Sequence, residues 1–450
     1  FDPVAGTQLP VFSPTENVLV SDIVAAQPRV LPPVIFDQAT TGQLDPDLVA
    51  RSLGLIDIRS VYDFDGTASV DIAALADPAQ TTAAQRQARF LRIEKAVALP
   101  DEDVRDFDNS AFGVSTGQGM REILGYAPVE PDGSVVVQVP ANVPIALSVL
   151  DANGRRITAR HQNWLQLRPG EVLACNGCHS TQNEVSHGRQ GAFDSAWSGA
   201  PADGQPFPNT SSAFFADFGE TMAQVKKRIS CATDCQLVAL DEDVVYDDIW
   251  TDPVAAGRPA DASFAWRYTD LGTPIPTTGD CLDNWAGHCR ITIHYEAHIH
   301  PLWATPRVTL AGDDTCTNCH APLSTLGAVQ VPAAQLDLSD GASDLNGDHF
   351  KAYRELLSGD NEQELVGGAL ADRLVQTGVD PVTGDPVFSP VPVSASLSTA
   401  GANNSPRFFN IFAPGGTHAG RLSPAELRLV SEWVDIGAQY YNDPFQAPLN

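Results

Sequence analysis

The stretches Cys175-Asn176-Gly177-Cys178-His179 and Cys316-Thr317-Asn318-Cys319-His320 repeat one five-residue pattern, Cys-x-x-Cys-His. Two thiols three residues apart match the two vinyl groups of one porphyrin, and the histidine that follows lies under the iron. With eight cysteines and ten histidines in 450 residues, chance would produce this pattern about 10⁻³ times per chain. Its occurrence twice predicts two covalently attached haem c groups.

The predicted attachment residues and proximal iron ligands are Cys175, Cys178 and His179 in the first motif, and Cys316, Cys319 and His320 in the second. Two other kinds of site use similar spacing. A zinc knuckle usually closes with a second pair of cysteines or histidines at a suitable distance. A thioredoxin-like pair has no need of the trailing histidine. The trailing histidine in both copies therefore favours haem.

The chain is strongly acidic, with a formal net charge of −29 and a pI of about 4.4. This charge excludes general nucleic-acid binding and disfavours docking on anionic lipid. It either attracts a basic redox partner or maintains solubility in a salty medium. No apolar run approaches the roughly 18 residues of a membrane span. Because such haem motifs are normally loaded outside the cytoplasmic membrane, we expect a periplasmic or extracellular protein whose precursor carried a signal.

Four further cysteines form two pairs that are close in sequence. In an oxidising compartment they predict the disulfides Cys231–Cys235 and Cys281–Cys289. Cross-pairing and free thiols remain open. A metal site built from Cys281, His288 and Cys289 is a further alternative.

The 34 prolines and 35 glycines predict a loop-rich α+β fold. We expect a small β-sandwich-like module followed by haem-binding segments and a helical, cytochrome c-like domain. The expected regions are an irregular β-rich part at 1–110, the β-sandwich-like module at 111–170, a loop-rich first-haem segment at 171–280, and the cytochrome c-like domain at 281–450.

Local patterns predict several elements within these regions. Valine-rich and alternating segments predict strands at 134–139 and 145–150. Alanine content predicts a helix at 81–91. A second helix is expected at 218–229, carrying the basic cluster 226–228. One interpretation is that this cluster binds haem propionates or a partner. The other is that its positive charges stabilise the C-terminal end of the helix dipole.

Two helices are expected near the C-terminus. Asp348 is a candidate N-cap for a helix at 349–357. The segment Ser423-Pro424-Ala425-Glu426 reads as a capping box with proline at the first helical position. The helix that follows has an apolar stripe and ends near Gly437.

Each iron has a sixth coordination position. Only Met120 and Met222 are present, so methionine ligation is limited. For the second haem we expect His418, because its glycine-rich loop directly precedes the last helix. A surface histidine is the alternative.

For the first haem, the segment His294-Tyr295-Glu296-Ala297-His298-Ile299-His300 is the richest source of imidazole. We expect His300 as the distal ligand, with His298 next and His187 as another contender. On a helix His294 and His298 share one face. A zinc or copper site in this cluster is the competing interpretation.

An oxygen-rich loop offers a different kind of site. It contains Asp340, Asp344, Asn346 and Asp348, which makes calcium a candidate cofactor. The EF-hand spacing is missing, so the alternative is a solvated loop that caps a helix.

Several stretches of the chain resemble the hydrazine synthase alpha family and its uncharacterised relatives. They are 125–134, 139–144, Arg168-Pro169-Gly170-Glu171 before the first motif, His298-Ile299-His300-Pro301-Leu302-Trp303 before the second, and His418-Ala419-Gly420-Arg421-Leu422-Ser423. The resemblance covers roughly 110–450. It implies a first haem supported by a β-sandwich, a cytochrome c-like second haem ligated by His320 and His418, and an upstream β-propeller of which 1–110 is a remnant or substitute.

The catalytic part of that family does not carry over to this chain. In the family, the motif of the active haem has a histidine directly after its first cysteine and a tyrosine directly after the motif. The corresponding residues here are Asn176 and Ser180.

Three functions are consistent with these features. The first is a dihaem cytochrome that transfers electrons between redox partners, with both irons ligated by two histidines. The second is a haem oxidoreductase, peroxidase-like or acting on small nitrogen compounds, with His161, His187 or Glu184 as the acid–base group beside the first haem. The third is a subunit of an extracellular conductive filament or larger redox assembly.

Overall fold

The computed structural model describes residues 16–17, 44–180, 192–231, 238–283, 285–309 and 312–450. These residues form a mixed fold in which short helices and several small sheets are joined by long loops, as an α+β class requires. None of the helices in this part of the chain combines the length and apolar character that a bilayer crossing requires.

The α-helices in the described ranges are α1 Pro46–Ala50, α2 Ile72–Ala76, α3 Met222–Ser230, α4 Gly279–Asp283, α5 Pro301–Ala304, α6 Cys316–Cys319, α7 Lys351–Leu357, α8 Pro406–Phe412 and α9 Pro424–Asp435. The strands are β1 Leu53–Ile58, β2 Asp63–Phe64, β3 Thr67–Ala68, β4 Phe90–Ala96, β5 Arg121–Pro128, β6 Val135–Pro140, β7 Ile145–Leu150, β8 Val172–Cys175, β9 Gln205–Pro206, β10 Phe215–Ala216, β11 Val244–Tyr246, β12 Phe264–Trp266, β13 Val308–Thr309, β14 Gly312–Asp313, β15 Asp360–Asn361, β16 Gln363–Val366, β17 Ala369–Asp372, β18 Leu374–Val379, β19 Pro386–Pro390 and β20 Pro392–Val393.

Two three-stranded sheets share one hydrophobic core. In the first sheet β1 lies between β6, to which it is antiparallel, and β8, to which it is parallel. In the second, β4 lies between β5 and β7 and is antiparallel to both. Ile56 and Val137 from the first sheet pack in the same buried cluster as Ile93 and Val149 from the second. This arrangement is sandwich-like, and strands β1 and β4 come from the N-terminal 110 residues.

The strand predictions at 134–139 and 145–150 are confirmed by β6 and β7. The helix predicted at 81–91 is wrong. A short 3₁₀ turn occupies Ala83–Gln85, and Phe90 already begins β4. Because β4 gains a strand partner on each side, tertiary pairing outweighs the helical preference of the preceding alanines.

The helix predicted at 218–229 is observed as α3, with Thr221 as its cap. Two residues of its basic cluster are paired with carboxylates, since Lys226 Nζ lies 2.7 Å from Glu130 and Arg228 lies 2.7 Å from Glu220. These pairs hold the helix to its surroundings.

The last helix agrees closely with its sequence signature. Ser423 Oγ accepts a hydrogen bond from the Glu426 amide, and the Glu426 side chain accepts one from the Ser423 amide. The capping box and the proline at the first position therefore form as predicted. Asp348, in contrast, does not cap α7, whose N-cap is Phe350. The carboxylate of Asp348 instead accepts a hydrogen bond from Ser110 at 3.3 Å.

The C-terminal region is less helical than expected, because an extended arm interrupts it. Strands β15 to β20 follow α7 and pair as short antiparallel ladders. Apolar side chains on this arm, such as Leu365 and Phe388, are exposed. Turn residues at Gly367-Gly368 and 380–385 separate its strands, which is the sequence pattern of hairpins.

A buried ion network joins the second sheet to α9. Arg92 on β4 contacts Glu94 at 3.2 Å and Asp435 on α9 at 3.3 Å, and Glu94 also pairs with Arg121 at 3.0 Å. The side chains of Arg92 and Asp435 are both 0% exposed. The second Asp435 oxygen accepts a hydrogen bond from the Ala402 amide at 2.8 Å. A buried charge without its partner is strongly unfavourable, so this network fixes the helix against the sheet.

We predict that Asp435→Asn lowers the free energy of unfolding by roughly 3–5 kcal/mol, because Arg92 would lose a buried counter-charge. Urea unfolding followed by circular dichroism measures this change. The matched control is Glu362→Gln, since the pair Glu362–Arg373 lies at the surface and is worth at most about 1 kcal/mol. Equal losses in the two variants would contradict the assigned role of the network.

Candidate functional site

The first Cys-x-x-Cys-His motif begins at the end of a sheet strand. Cys175 is the last residue of β8 and pairs with Ile58 on β1. The chain then turns against the loop after β1, where the Cys178 amide donates to the Asp63 carbonyl at 2.8 Å. A Cβ atom on Gly177 would lie 2.4 Å from that carbonyl oxygen. Only glycine fits this close approach, so the loop holds the motif in one conformation.

Both cysteines of the first motif are free thiols that are partly buried. Burial raises the pKa of Cys175 and of Cys178 to about 11. Neither cysteine is joined in a disulfide. A free thiol of this kind can add to a porphyrin vinyl group and form a thioether bond.

The structure brings His161 to the vicinity of His179. Burial is the main cause that lowers the pKa of His161, and the charge of His179 is the next. The Nδ1 atom of His161 is buried and makes no well-aligned hydrogen bond within the described residues, although the backbone of Asn163 lies close to the ring. His179 itself is exposed, and its Nδ1 lies 3.3 Å from the Ser180 carbonyl oxygen. From the sequence, His161 is a candidate acid–base group beside the first haem and is not a favoured iron ligand.

The second motif forms a single helical turn. The His320 amide donates to the Cys316 carbonyl at 2.9 Å, which closes α6 and places the imidazole directly after it. Cys316 packs against the large hydrophobic cluster of the C-terminal region, whereas Cys319 is exposed. Arg307 interacts with Cys316 and forms a two-pronged ion pair with Glu426 of α9, at 2.8 and 3.2 Å. The motif is thereby tied to the last helix.

The imidazole rings of His320 and His418 lie close together. Their ring centres are 6.1 Å apart and the rings are inclined at 44°. Metal–imidazole bonds of about 2 Å on opposite sides of one metal place the two ring centres about 6 Å apart. The Nδ1 of His418 is 2.9 Å from the hydroxyl of Thr417, which leaves Nε2 as the nitrogen for a metal. The expected pair of ligands is therefore brought together at a suitable spacing.

Carbonyl groups surround the proximal imidazole of this pair. The carbonyls of Leu336 and Ala333 face the ring of His320, although its buried Nδ1 makes no well-aligned hydrogen bond within the described residues. On the other side, the loop of His418 is held by its own amide, which donates to Ile411 at 2.8 Å. Phe412 packs against the His418 ring at 5.7 Å.

Large apolar side chains are exposed next to both motifs. Phe64 is 49% exposed and pairs through its backbone with Cys178. Phe193 is also exposed, and its carbonyl accepts a hydrogen bond from Asn176. After the second motif, Leu326 is 94% exposed. Each motif thus offers two thiols for the vinyl groups, an imidazole for the iron and nearby apolar surface for the porphyrin. These features fit a haem at each motif.

The cluster His294–His300 is placed inside the C-terminal core. The His294 amide donates to His298 Nδ1 at 2.9 Å, and the His294 ring packs against Tyr441 at 4.8 Å. His300 packs against Phe350 at 4.8 Å, and its buried Nε2 has no partner among the described residues. His161 is an imidazole that lies near enough to His179 to be affected by it electrostatically. Ligation of the first haem by His300 or His298 therefore stays a prediction, and His187 and Glu184 lie outside the described residues.

The other candidate metal sites differ in outcome. Cys281 and Cys289 are joined in a disulfide, so although His288 is nearby, they offer no thiolates to a metal. Cys235 lies outside the described residues, so its predicted disulfide with Cys231 is not described.

The described ranges contain one further cluster of three potential metal-ligand atoms, formed by Asp241, Glu242 and Asp243. The predicted calcium loop does not form such a cluster. Asp344 lies 3.7 Å from Arg354, and Asp348 contacts Ser110. Calcium therefore stays a prediction from sequence.

We predict that stability falls between about pH 6.5 and pH 4. Burial lowers the pKa of His294 and of His298 to about 4, whereas an unfolded histidine titrates near about 6.5. The unfolded state binds more protons in this window, so the free energy of unfolding decreases as the pH falls. His298→Asn keeps an acceptor near the Nδ1 position and removes the titrating ring.

On acidification, the free energy of unfolding of His298→Asn should decrease by roughly 1–3 kcal/mol less than that of the parent protein. Urea unfolding at several pH values measures this difference. His288→Asn serves as the control because His288 is exposed. Identical pH profiles for His298→Asn and the parent protein would show that burial of this ring is not the cause.

Comparison with known proteins identifies one resemblance. A family model of the hydrazine synthase alpha subunit middle domain matches residues 86–180. Hydrazine synthase subunit alpha of Kuenenia stuttgartiensis is 35% identical over 72 residues, which is 16% of this chain and 9% of that protein. The solved Kuenenia stuttgartiensis hydrazine synthase aligns over 88% of this chain and 44% of its own, with 18% identity and a TM-score of 0.40.

Each relative is thus covered over less than half of its own length. The family match spans strands β4 to β8 and includes the complete first Cys-x-x-Cys-His motif. Over this region, the chain resembles the hydrazine synthase alpha subunit.

Proposed function

We propose that this protein is a dihaem c-type cytochrome that transfers electrons between redox partners outside the cytoplasm. The observation that carries the proposal is the proximity of His320 and His418, whose ring centres are 6.1 Å apart. An iron held by two imidazoles has no coordination position left for a substrate. Such a centre exchanges electrons, and bond-making at the metal is prevented.

The first centre receives the same interpretation with His161 as its distal ligand. The buried Nδ1 of His161 makes no well-aligned hydrogen bond within the described residues, and His161 lies near enough to His179 for that imidazole to help lower its pKa. The sequence favours His300 or His298 for this role, but their described contacts lie with aromatic residues of the C-terminal core. His161 is therefore our proposal, and His300 and His298 are the alternatives to be tested.

Each haem, when bound, supplies a reversible one-electron couple. The chain contributes the ligands and their surroundings. The formal net charge of −29 favours a partner with a basic face. The attraction between the two proteins weakens as the salt concentration increases.

A haem oxidoreductase acting on a small nitrogen compound is the second candidate. It is favoured by the family match over 86–180, since this region contains the first motif and the matched family is named for hydrazine synthesis. This function requires a free coordination position at the first iron, with His161 as an acid–base group. An assembly role, as a subunit of a filament or larger redox complex, is a further proposal that size measurement of the native protein would test.

We predict that the reduced parent protein does not bind carbon monoxide and that His418→Ala does. Removal of the distal imidazole opens one position on the second iron. The absorption spectrum of the reduced protein before and after gas addition measures this change. His288→Ala is the matched control, because this histidine is exposed and distant in sequence from both motifs. Carbon monoxide binding to the parent protein would favour the oxidoreductase.

The ligand of the first haem is tested by three single variants, His161→Ala, His298→Ala and His300→Ala. We predict that His161→Ala alone converts one of two low-spin ferric signals to a high-spin signal in low-temperature electron paramagnetic resonance. The other two variants should keep both low-spin signals. Conversion by His300→Ala or His298→Ala instead would restore the sequence-based prediction and remove His161 from this role.

A further inference from the structure

A polar cleft of about 500 Å³ lies beside the first motif's proposed ligand. Two chain segments form it, residues 156–160 after β7 and residues 399–404 before α8. Arg160, in the first of these segments, directly precedes His161. The charged side chains in its lining are Arg156 and Arg160, and the neutral polar ones include Asn403 and Asn404. No carboxylate side chain contributes to this lining.

Both guanidinium groups are held in place by backbone carbonyls. Arg156 is 7% exposed and donates to the carbonyls of Thr158 and Ala400, each at 2.6 Å. Arg160 donates through Nη2 to the carbonyls of Thr399 and Asp435, at 3.1 and 2.9 Å. Carbonyl groups orient a guanidinium but do not neutralise its charge. The two cations of the cleft are therefore preorganised.

Part of the donor capacity of these two arginines is unused. The Nε atoms of Arg156 and Arg160 are buried and donate to no described residue. Arg160 Nη1 makes no hydrogen bond with the described residues. Within this part of the chain, its N–H groups are therefore available to a ligand that enters the cleft.

Positive charge is in excess at this place. The charged groups near Arg160 are the cations of Arg156 and Arg121 and the anions of Glu94 and Asp435. Glu94 and Asp435 are already engaged by Arg92 and Arg121 in the buried network. A local excess of cations is unusual in a chain of net charge −29, and an anion in the cleft would relieve it.

We propose that this cleft binds a carboxylate or similar oxyanion through Arg156 and Arg160. Arg160 can donate a charge-assisted hydrogen bond to one oxygen of such an anion, and the positive charge of Arg156 adds to the attraction. The volume of about 500 Å³ exceeds the needs of a bare ion and suits a small organic anion or one edge of a larger molecule. Two sources supply this chemistry: a free small oxyanion, or a propionate of the haem at the first motif.

The propionate source rests on the proposed function, because it requires a haem next to His161. The free-anion source does not. Failure of haem attachment would therefore remove the first source and leave the second intact.

Two measurements on the purified full chain with its covalent cofactors separate these sources. The first is calorimetric titration with acetate, malonate and phosphate as probes. The second is the reduction potential of the haems as a function of pH. The variants are Arg160→Gln, which removes the cation, and Arg160→Lys, which keeps the charge but loses the fork. Arg168→Gln is the control, because the Arg168 side chain is 64% exposed. Circular dichroism checks that each variant is folded.

For a free anion we expect at least one probe to bind, about tenfold or more weaker to Arg160→Gln than to the parent, with the Arg168→Gln control unchanged. For a propionate we expect no probe binding, and a shift in the pH dependence of one haem potential in Arg160→Gln and Arg160→Lys but not in Arg168→Gln. The proposal would be overturned if no probe bound to the parent protein and the haem potentials of the folded variants were unchanged.

Discussion

The fold depends on the contact between Asp435 at the end of α9 and Arg92 on the central strand β4. Both side chains are fully buried, and a buried charge is tolerated only beside its counter-charge. The helix must therefore lie against the second sheet in one position. Asp435 also accepts the amides of Arg156 and Ala402, at 2.9 and 2.8 Å. One carboxylate thus positions the sheet, the loop that leads to His161, and the segment that precedes α8.

The opposite end of α9 positions the second motif. Glu426 in its first turn binds Arg307, which interacts with Cys316, and the loop that carries His418 runs directly into the Ser423 cap. The first motif is instead held by the parallel pairing of β8 with β1. A sheet edge and a helix therefore support the two proposed haem sites, and α9 connects them. Rigid support of this kind keeps the surroundings of each ligand constant, which is what a stable reduction potential requires.

Local signals were sufficient to predict the parts of the molecule that depend on neighbouring residues. The capping box of α9 and the strands β6 and β7 follow from short motifs. His418 lies close to His320, and their shared ligation of an iron stays a prediction. Non-local contacts were not predictable in this way. Strand β4 is stabilised by partners on both sides, so the preceding alanines misled the helix prediction. The approach of His161 to His179 depends on contacts between residues far apart in sequence, which no local pattern encodes.

The central claim is that a porphyrin is bound through thioether bonds at both Cys-x-x-Cys-His motifs. Intact-protein mass spectrometry under denaturing conditions tests it most directly, with the full chain produced in a host that attaches haem c. We expect a mass that exceeds the polypeptide by two haem groups, and by one haem group in Cys175→Ser/Cys178→Ser and in Cys316→Ser/Cys319→Ser. A parent mass equal to the bare polypeptide would contradict it.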